Sequence, residues 1–86
     1  MRYSYDAEVD ALSILLLPEV EIARTLERGD NRHIDLSADG RVVAIEVLWA
    51  SDGVEVDDLI YEFDLDNYKS FLRDVANASF KPAVAL

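Results

Sequence analysis

Alternating apolar and polar positions run through the first half of the chain. Met1, Tyr3 and Tyr5 alternate with Arg2 and Ser4, the period-two pattern of a half-buried strand. After "DAEVD" a second strand carries Leu12, Ile14 and Leu16 on one face and Ala11, Ser13, Leu15 and Leu17 on the other, which predicts an interior strand with both faces at least partly covered. Pro18 ends it, having no N–H to give to a ladder. Glu19 to Glu27 alternates again, with Val20, Ile22 and Leu26 on the apolar side and Arg24 among them; the Arg24 stem is expected along the sheet with its guanidinium reaching an edge or a carboxylate. "RGDN", Arg28 to Asn31, supplies the turn residues Gly, Asp and Asn.

"HIDLSADGRVVAIEV" joins two alternating runs through Asp39-Gly40, the dipeptide favoured in a two-residue type I′ hairpin. With those two residues at the centre of the turn, Leu36 faces Val43 and Ile34 faces Ile45, while His33 falls opposite Glu46 and Asp35 opposite Ala44 on the second face. An odd-length loop without a bulge would set apolar residues against polar ones.

Beyond Trp49 the character changes, with Asp52, Glu55, Asp57, Asp58, Glu62, Asp64 and Asp66 preceding Lys69 and no base among them. Leu59, Tyr61 and Phe63 alternate within this stretch, which predicts a further short strand with a solvated acidic face. Leu65, Tyr68, Phe71, Leu72, Val75 and Ala76 then recur at three- and four-residue spacing, the stripe of an amphipathic helix. Asp64 or Asp66 is the expected N-cap, with Arg73 towards the other end. The tail "FKPAVAL" is expected to fray or pack across an edge. The sum is an α+β domain over residues 1–86: an antiparallel sheet of about five strands with one C-terminal amphipathic helix packed on a face.

Composition narrows the function. With 18 acids against 8 bases the formal charge is −10, a surface that repels phosphate backbones and anionic lipid and suits a basic protein partner. Cysteine is absent and there is one histidine, which excludes disulfides, thiolate chemistry and cysteine-based zinc sites. The N-terminus has no apolar leader pattern, and the aliphatic run Ile14 to Leu17 stops at Pro18, far short of a membrane span. The expectation is a cytoplasmic protein with no cofactor.

"YDAEVDALSI", Tyr5 to Ile14, followed by "IDLSADGRVVAIEVLWAS", Ile34 to Ser51, resembles the small uncharacterised bacterial family DUF2283. The matching positions are Tyr5, Asp6, Glu8, Asp10, Leu12, Asp35, Asp39, Gly40, Ile45 and Glu46. The resemblance covers about the first three-fifths of the chain and implies a strand-rich domain, with no catalytic residues to carry over. Residues 52–86, the acidic strand and the helix, lie outside it.

The candidate chemistry rests on a few side chains. Asp6, Glu8 and Asp10 have a spacing that suggests a calcium loop, but from Asp6 the sixth and twelfth positions are Ala11 and Leu17 instead of Gly and an acid, so an EF-hand fails. A looser divalent-metal site, drawing also on Asp35 and Glu46, is one alternative. The other has Asp6 and Asp10 shaping the turn between two strands by accepting backbone N–H groups; a buried Asp10 or Glu8 would then call for Arg2, Arg24 or Arg41. His33 and Glu46 are the one acid–base pair in cross-strand reach, with Ser13, Ser37 and Ser51 as the available hydroxyls, none in a recognisable nucleophile motif. For Trp49, Tyr3, Tyr5, Tyr61 and Phe63 two readings stay open, a protein-binding face or the core. The leading reading is a non-enzymatic protein-interaction or regulatory module that pairs with itself as a homodimer or binds a basic protein. The alternative is a metal-binding protein or metal-dependent hydrolase built on the clustered carboxylates.

Overall fold

The computed structural model describes residues 1–83; Val84 to Leu86, the end of the expected tail, lie outside the described residues. Five strands, β1 (Arg2–Asp6), β2 (Ala11–Leu15), β3 (Arg24–Arg28), β4 (Arg32–Leu36) and β5 (Val42–Leu48), form one sheet in the order β1-β2-β5-β4-β3 with every neighbouring pair antiparallel. Two helices follow, α1 (Asp57–Glu62) and α2 (Lys69–Asn77), the second entered through a 3-10 turn at Asp66–Tyr68. The α+β class, the five-stranded sheet and the C-terminal helix agree with the pattern of the sequence.

The last strand takes the centre. β5, "VVAIEVL", is the longest and richest in β-branched residues, which pack well on a pleated, doubly flanked surface. It lies between β2 and β4, so the chain leaving β2 must cross to the far edge before it can start β3. That journey spans three strand spacings, about 14 Å, and Leu16 to Ala23 make it. The expected strand over 19–27 therefore begins only at Arg24, with Ala23 N–H donating to the Leu36 carbonyl at 2.8 Å as the chain arrives. Arg24 is exposed on this edge strand, as its long cationic side chain requires.

The β4–β5 hairpin preserves its apolar face by a different route from the one expected. Ile34 faces Ile45, His33 faces Glu46 and Asp35 faces Ala44, but Leu36 pairs with Val42, not Val43, across a register shift. Ser37 N–H donates to the Arg41 carbonyl at 2.9 Å, closing a three-residue loop in which Gly40 alone takes positive φ, at 87°. A type I′ turn would need positive φ at Asp39 as well. The odd loop reverses the facing of one strand and the extra residue near Val43 reverses it back, so both corrections are needed together.

One sheet face carries Leu12, Ile14, Ile34, Leu36, Ile45 and Val47, all buried, and residues 54–76 cover it with Val56, Leu59, Ile60, Leu65, Leu72 and Val75 in a single apolar cluster. The acidic segment supplies this cover as a helix, which corrects the expected strand. Val56, Leu59, Ile60 and Phe63 follow the i, i+3, i+4, i+7 rule, and this helical reading buries Leu59 completely while leaving Tyr61 90% exposed. Asp64 is not an N-cap. It takes φ 55° just past α1, where Leu65 N–H returns to the Ile60 carbonyl at 2.9 Å, the six-to-one bond of a Schellman terminus. No side-chain cap bond forms at α2, and Arg73 reaches across to Asp57 of α1 at 3.1 Å. Beyond α2, Phe80 stacks at 4.9 Å from Tyr5 and Ala83 N–H donates to Ala7, so the tail up to that point packs over the β1–β2 end.

The helical reading separates two neighbours that a strand would place alike. Leu59→Ala should cost about 2–5 kcal/mol in urea unfolding, and Tyr61→Ala no more than about 0.5 kcal/mol. Similar losses for both would support the strand.

Candidate functional site

The three acids of "DAEVD" separate in space. Asp6 Oδ1 accepts the Glu8 N–H at 3.0 Å, an Asx-turn, and Glu8 points into water. Asp10 adopts φ 53°, a left-handed conformation that a short polar side chain tolerates. Its carboxylate accepts the Tyr5 hydroxyl at 2.6 Å, the Ser51 N–H at 3.0 Å and the Ser51 hydroxyl at 2.5 Å. Its carbonyl takes the Ala50 N–H at 3.1 Å. Asp10 is only half-buried and Glu8 exposed, so neither meets the condition that called for Arg2, Arg24 or Arg41; hydroxyls and amides partner Asp10, and Arg41 closes on Asp39 beside its own turn at 2.9 Å.

This latch determines how the chain leaves the sheet. Trp49, between β5 and the latched Ala50–Ser51, is held at φ 52° and ψ 45°, a costly conformation for a bulky residue that persists only where its neighbours enforce it. The Ser51 hydroxyl, and then Tyr5, hold the Asp10 carboxyl below its ordinary range. Desolvation, with the Asp10 bond, pushes the Tyr5 phenol up to about 12. Trp49 itself is 53% exposed beside a polar cleft lined by Asp30, Asn31, Asp52 and Glu55.

The arginines turn towards the acidic segment. Arg28 engages Glu62 with Nε at 2.8 and 2.9 Å and with Nη2, while its guanidinium lies 5.4 Å over the Phe63 ring. Arg32 forms a two-pronged pair with Asp58 at 2.6 and 2.8 Å. These bonds, together with Arg73–Asp57, tie α1 to β3, β4 and α2, and the Arg28 and Arg32 hydrogen bonds lower the Glu62 and Asp58 carboxyls.

The second sheet face has no element over it among the described residues. β2 is interior, between β1 and β5, as expected, and on this face Ala11 and Leu15 are half-buried while Ser13 is exposed, so the expected partial cover fails at Ser13 alone within the strand. Register assembles this face in rows: Arg2, Leu15, Ala44, Asp35 and Thr25 in one, and Ser4, Ser13, Glu46, His33 and Glu27 in the next. His33 Nδ1 lies 3.4 Å from Glu46 Oε1, and Nε2 lies 3.6 Å from Glu27. Asp35 accepts the Thr25 hydroxyl at 2.5 Å. Glu46 can orient the imidazole. In the Ser13–Glu46–His33 order, however, the carboxylate stands between hydroxyl and imidazole, two strand spacings or about 10 Å apart. Ser37 is buried in the hairpin, donating to Asp39, and Ser51 is held by Asp10.

Asp6, Glu8 and Asp10 thus belong to one end of the sheet, Asp35 and Glu46 to its open face. Among the described residues no three His, Asp or Glu side chains gather as a set able to hold a metal ion. No helix is long and apolar enough to cross a membrane among those same residues. Sequence reading missed Ser51 as the partner of Asp10, 41 positions away, and Ser13 as a neighbour of Glu46. The second relation follows from alternation once β5 is known to lie beside β2.

Compared with known proteins, residues 2–51 match the family described as "Protein of unknown function (DUF2283)". That span runs from β1 to Ser51, the residue that Asp10 latches. No curated protein and no solved structure matches the chain.

The latch gives stability a pH signature. Asp10, Asp39, Asp58 and Glu62 have lowered folded-state values, so in acid the unfolded chain binds more protons and stability falls as pH drops below about 4. Tyr5 is raised from 10.0 to about 12, so its contribution is complete below pH 10 and is lost as pH rises through 12. Urea midpoints against pH should show both limbs, with a shallower acid limb in Asp10→Asn and a weaker alkaline one in Tyr5→Phe. An acid limb unchanged by Asp10→Asn would mean that the Asp10 charge does not stabilise the latch.

Proposed function

This chain belongs to the DUF2283 family, and we propose that it works as a small non-enzymatic protein-interaction module that docks a protein on the open face of its sheet. The observation that carries the reading is the asymmetry of that sheet. One face is sealed by α1 and α2, while the other presents half-buried Ala11, Leu15, Ala44 and Leu48 between polar side chains. Small side chains along β2 and β5 permit close approach, and layered folds of this kind gain stability when a second layer covers the exposed face. The side chains on the face also support binding over chemistry, since its one imidazole is flanked by Glu27 and Glu46, with Glu46 between it and the Ser13 hydroxyl.

Single-residue variants test where the contact lies. Full-length tagged chain, recovered from cells that express it, should retain a specific protein with wild type and with Tyr61→Arg, which alters the helical side. Ser13→Arg, at the middle of the open face, should lose it by at least about tenfold. Ser13 and Tyr61 are both exposed, so matched unfolding midpoints will show that each variant folds. Equal recovery with both variants would place the contact elsewhere and end the reading.

A further inference from the structure

We propose that the occupant of this face is a basic amphipathic helix of a partner protein, an inference that rests on the docking reading above. Two properties of the face select it. The first is shape: Leu15 with Ala44, and Ala11 with Leu48, are cross-strand neighbours on adjacent strands, and between them Ser4 and Ser13 leave a shallow hollow reaching Arg2. This suits a ridge of apolar side chains more than a flat sheet of polar ones. A helix laid along strands of five residues, about 17 Å, needs about 12 residues to cover them.

The second property is charge. Glu27, Asp35 and Glu46 lie on this face in β3, β4 and β5 and Asp6 at its β1 end, against Arg2 as the single permanent base of the face among the described residues. Asp35 and Glu46 are half-exposed, and their contacts on the face are one hydroxyl and a histidine, so both keep acceptor capacity for a Lys or Arg. Arg28, Arg32, Arg41 and Arg73 are each committed to carboxylates elsewhere. A second copy brings the same acid surplus and the same net charge of −10, and like charges brought together across a contact oppose association. A helix with an apolar stripe flanked by Lys or Arg meets both halves of the face.

The test uses the full chain and an 18-residue synthetic helix with Leu at i, i+3, i+4 and i+7 spacing and Lys elsewhere, read by fluorescence anisotropy. A Glu-for-Lys version serves as its counterpart. Binding of the Lys helix should weaken at least about tenfold in Ser13→Arg and in the double variant Asp35→Asn/Glu46→Gln. It should change by less than about threefold in Asp66→Asn/Asp74→Asn, which removes the same charge from exposed helical positions. Equal weakening in the two double variants would mean that the peptide reads overall charge, and the inference fails. Absence of Lys-helix binding with a sedimenting dimer that Ser13→Arg dissociates would replace the helix by a second copy and leave the docking reading standing. Absence of both would overturn the inference, and the docking reading would then be decided by the Ser13→Arg and Tyr61→Arg recovery above.

Discussion

The structure depends first on covering one face of its sheet. Leu12, Ile14, Ile34, Ile45 and Val47 lie side by side across three neighbouring strands and are all but inaccessible. Each such side chain contributes about 1.5–3 kcal/mol when removed from water, and a bare sheet would forfeit that contribution along its whole inner surface. Residues 54–76 provide the cover. The arginines of β3 and β4 then orient it: Arg28 and Arg32 emerge at the edge of the apolar face, and their fixed fork geometry matches the Glu62 and Asp58 carboxylates. The acids that look surplus in the sequence therefore include the ones that dock α1.

Getting the chain from the sheet to its cover requires backbone that most residues avoid. Asp10, Trp49 and Asp64 take left-handed conformations, and each sits where the path reverses. Asp10 and Trp49 are coupled, because the Asp10 carbonyl and carboxylate bind the amides of Ala50 and Ser51. The family match spans both partners of this latch, from the turn after β1 to Ser51. The Asp-x-Glu-x-Asp spacing thus acquires a mechanical meaning. Asp6 shapes the turn, Asp10 anchors the exit from β5, and Glu8 faces solvent.

The same alternation that fills one face with aliphatic side chains places Ser13, Glu46, His33 and Glu27 in a row on the other. Small residues in β2 and β5 keep that surface shallow, and the acids Glu27, Asp35 and Glu46 on β3, β4 and β5 give it a sign. In that row Glu46 stands between the Ser13 hydroxyl and the His33 imidazole, so the base is not positioned against the nucleophile as bond-making chemistry needs.

The sequence by itself determined the elements whose signals are local. Period two marked β1, β2, β4 and β5 and the faces they share, because an alternating strand has one apolar side to bury; the pairings Ile34–Ile45 and His33–Glu46 expected from a two-residue turn are kept because the three-residue loop is offset by the extra residue at Val43. The helical stripe from Leu65 to Ala76 was equally legible. Leu59, Tyr61 and Phe63 misled because a short segment satisfies both periods, and the deciding residues, Val56 and Ile60, count only once a face awaits them. Tertiary structure alone decided that β5 lies between β2 and β4, which delayed β3 to Arg24 and brought Ser13 beside Glu46. It alone joined Asp10 to Ser51 and Arg32 to Asp58. Those relations link residues far apart in the chain, and they exist only after the sheet has closed and its apolar face has been covered.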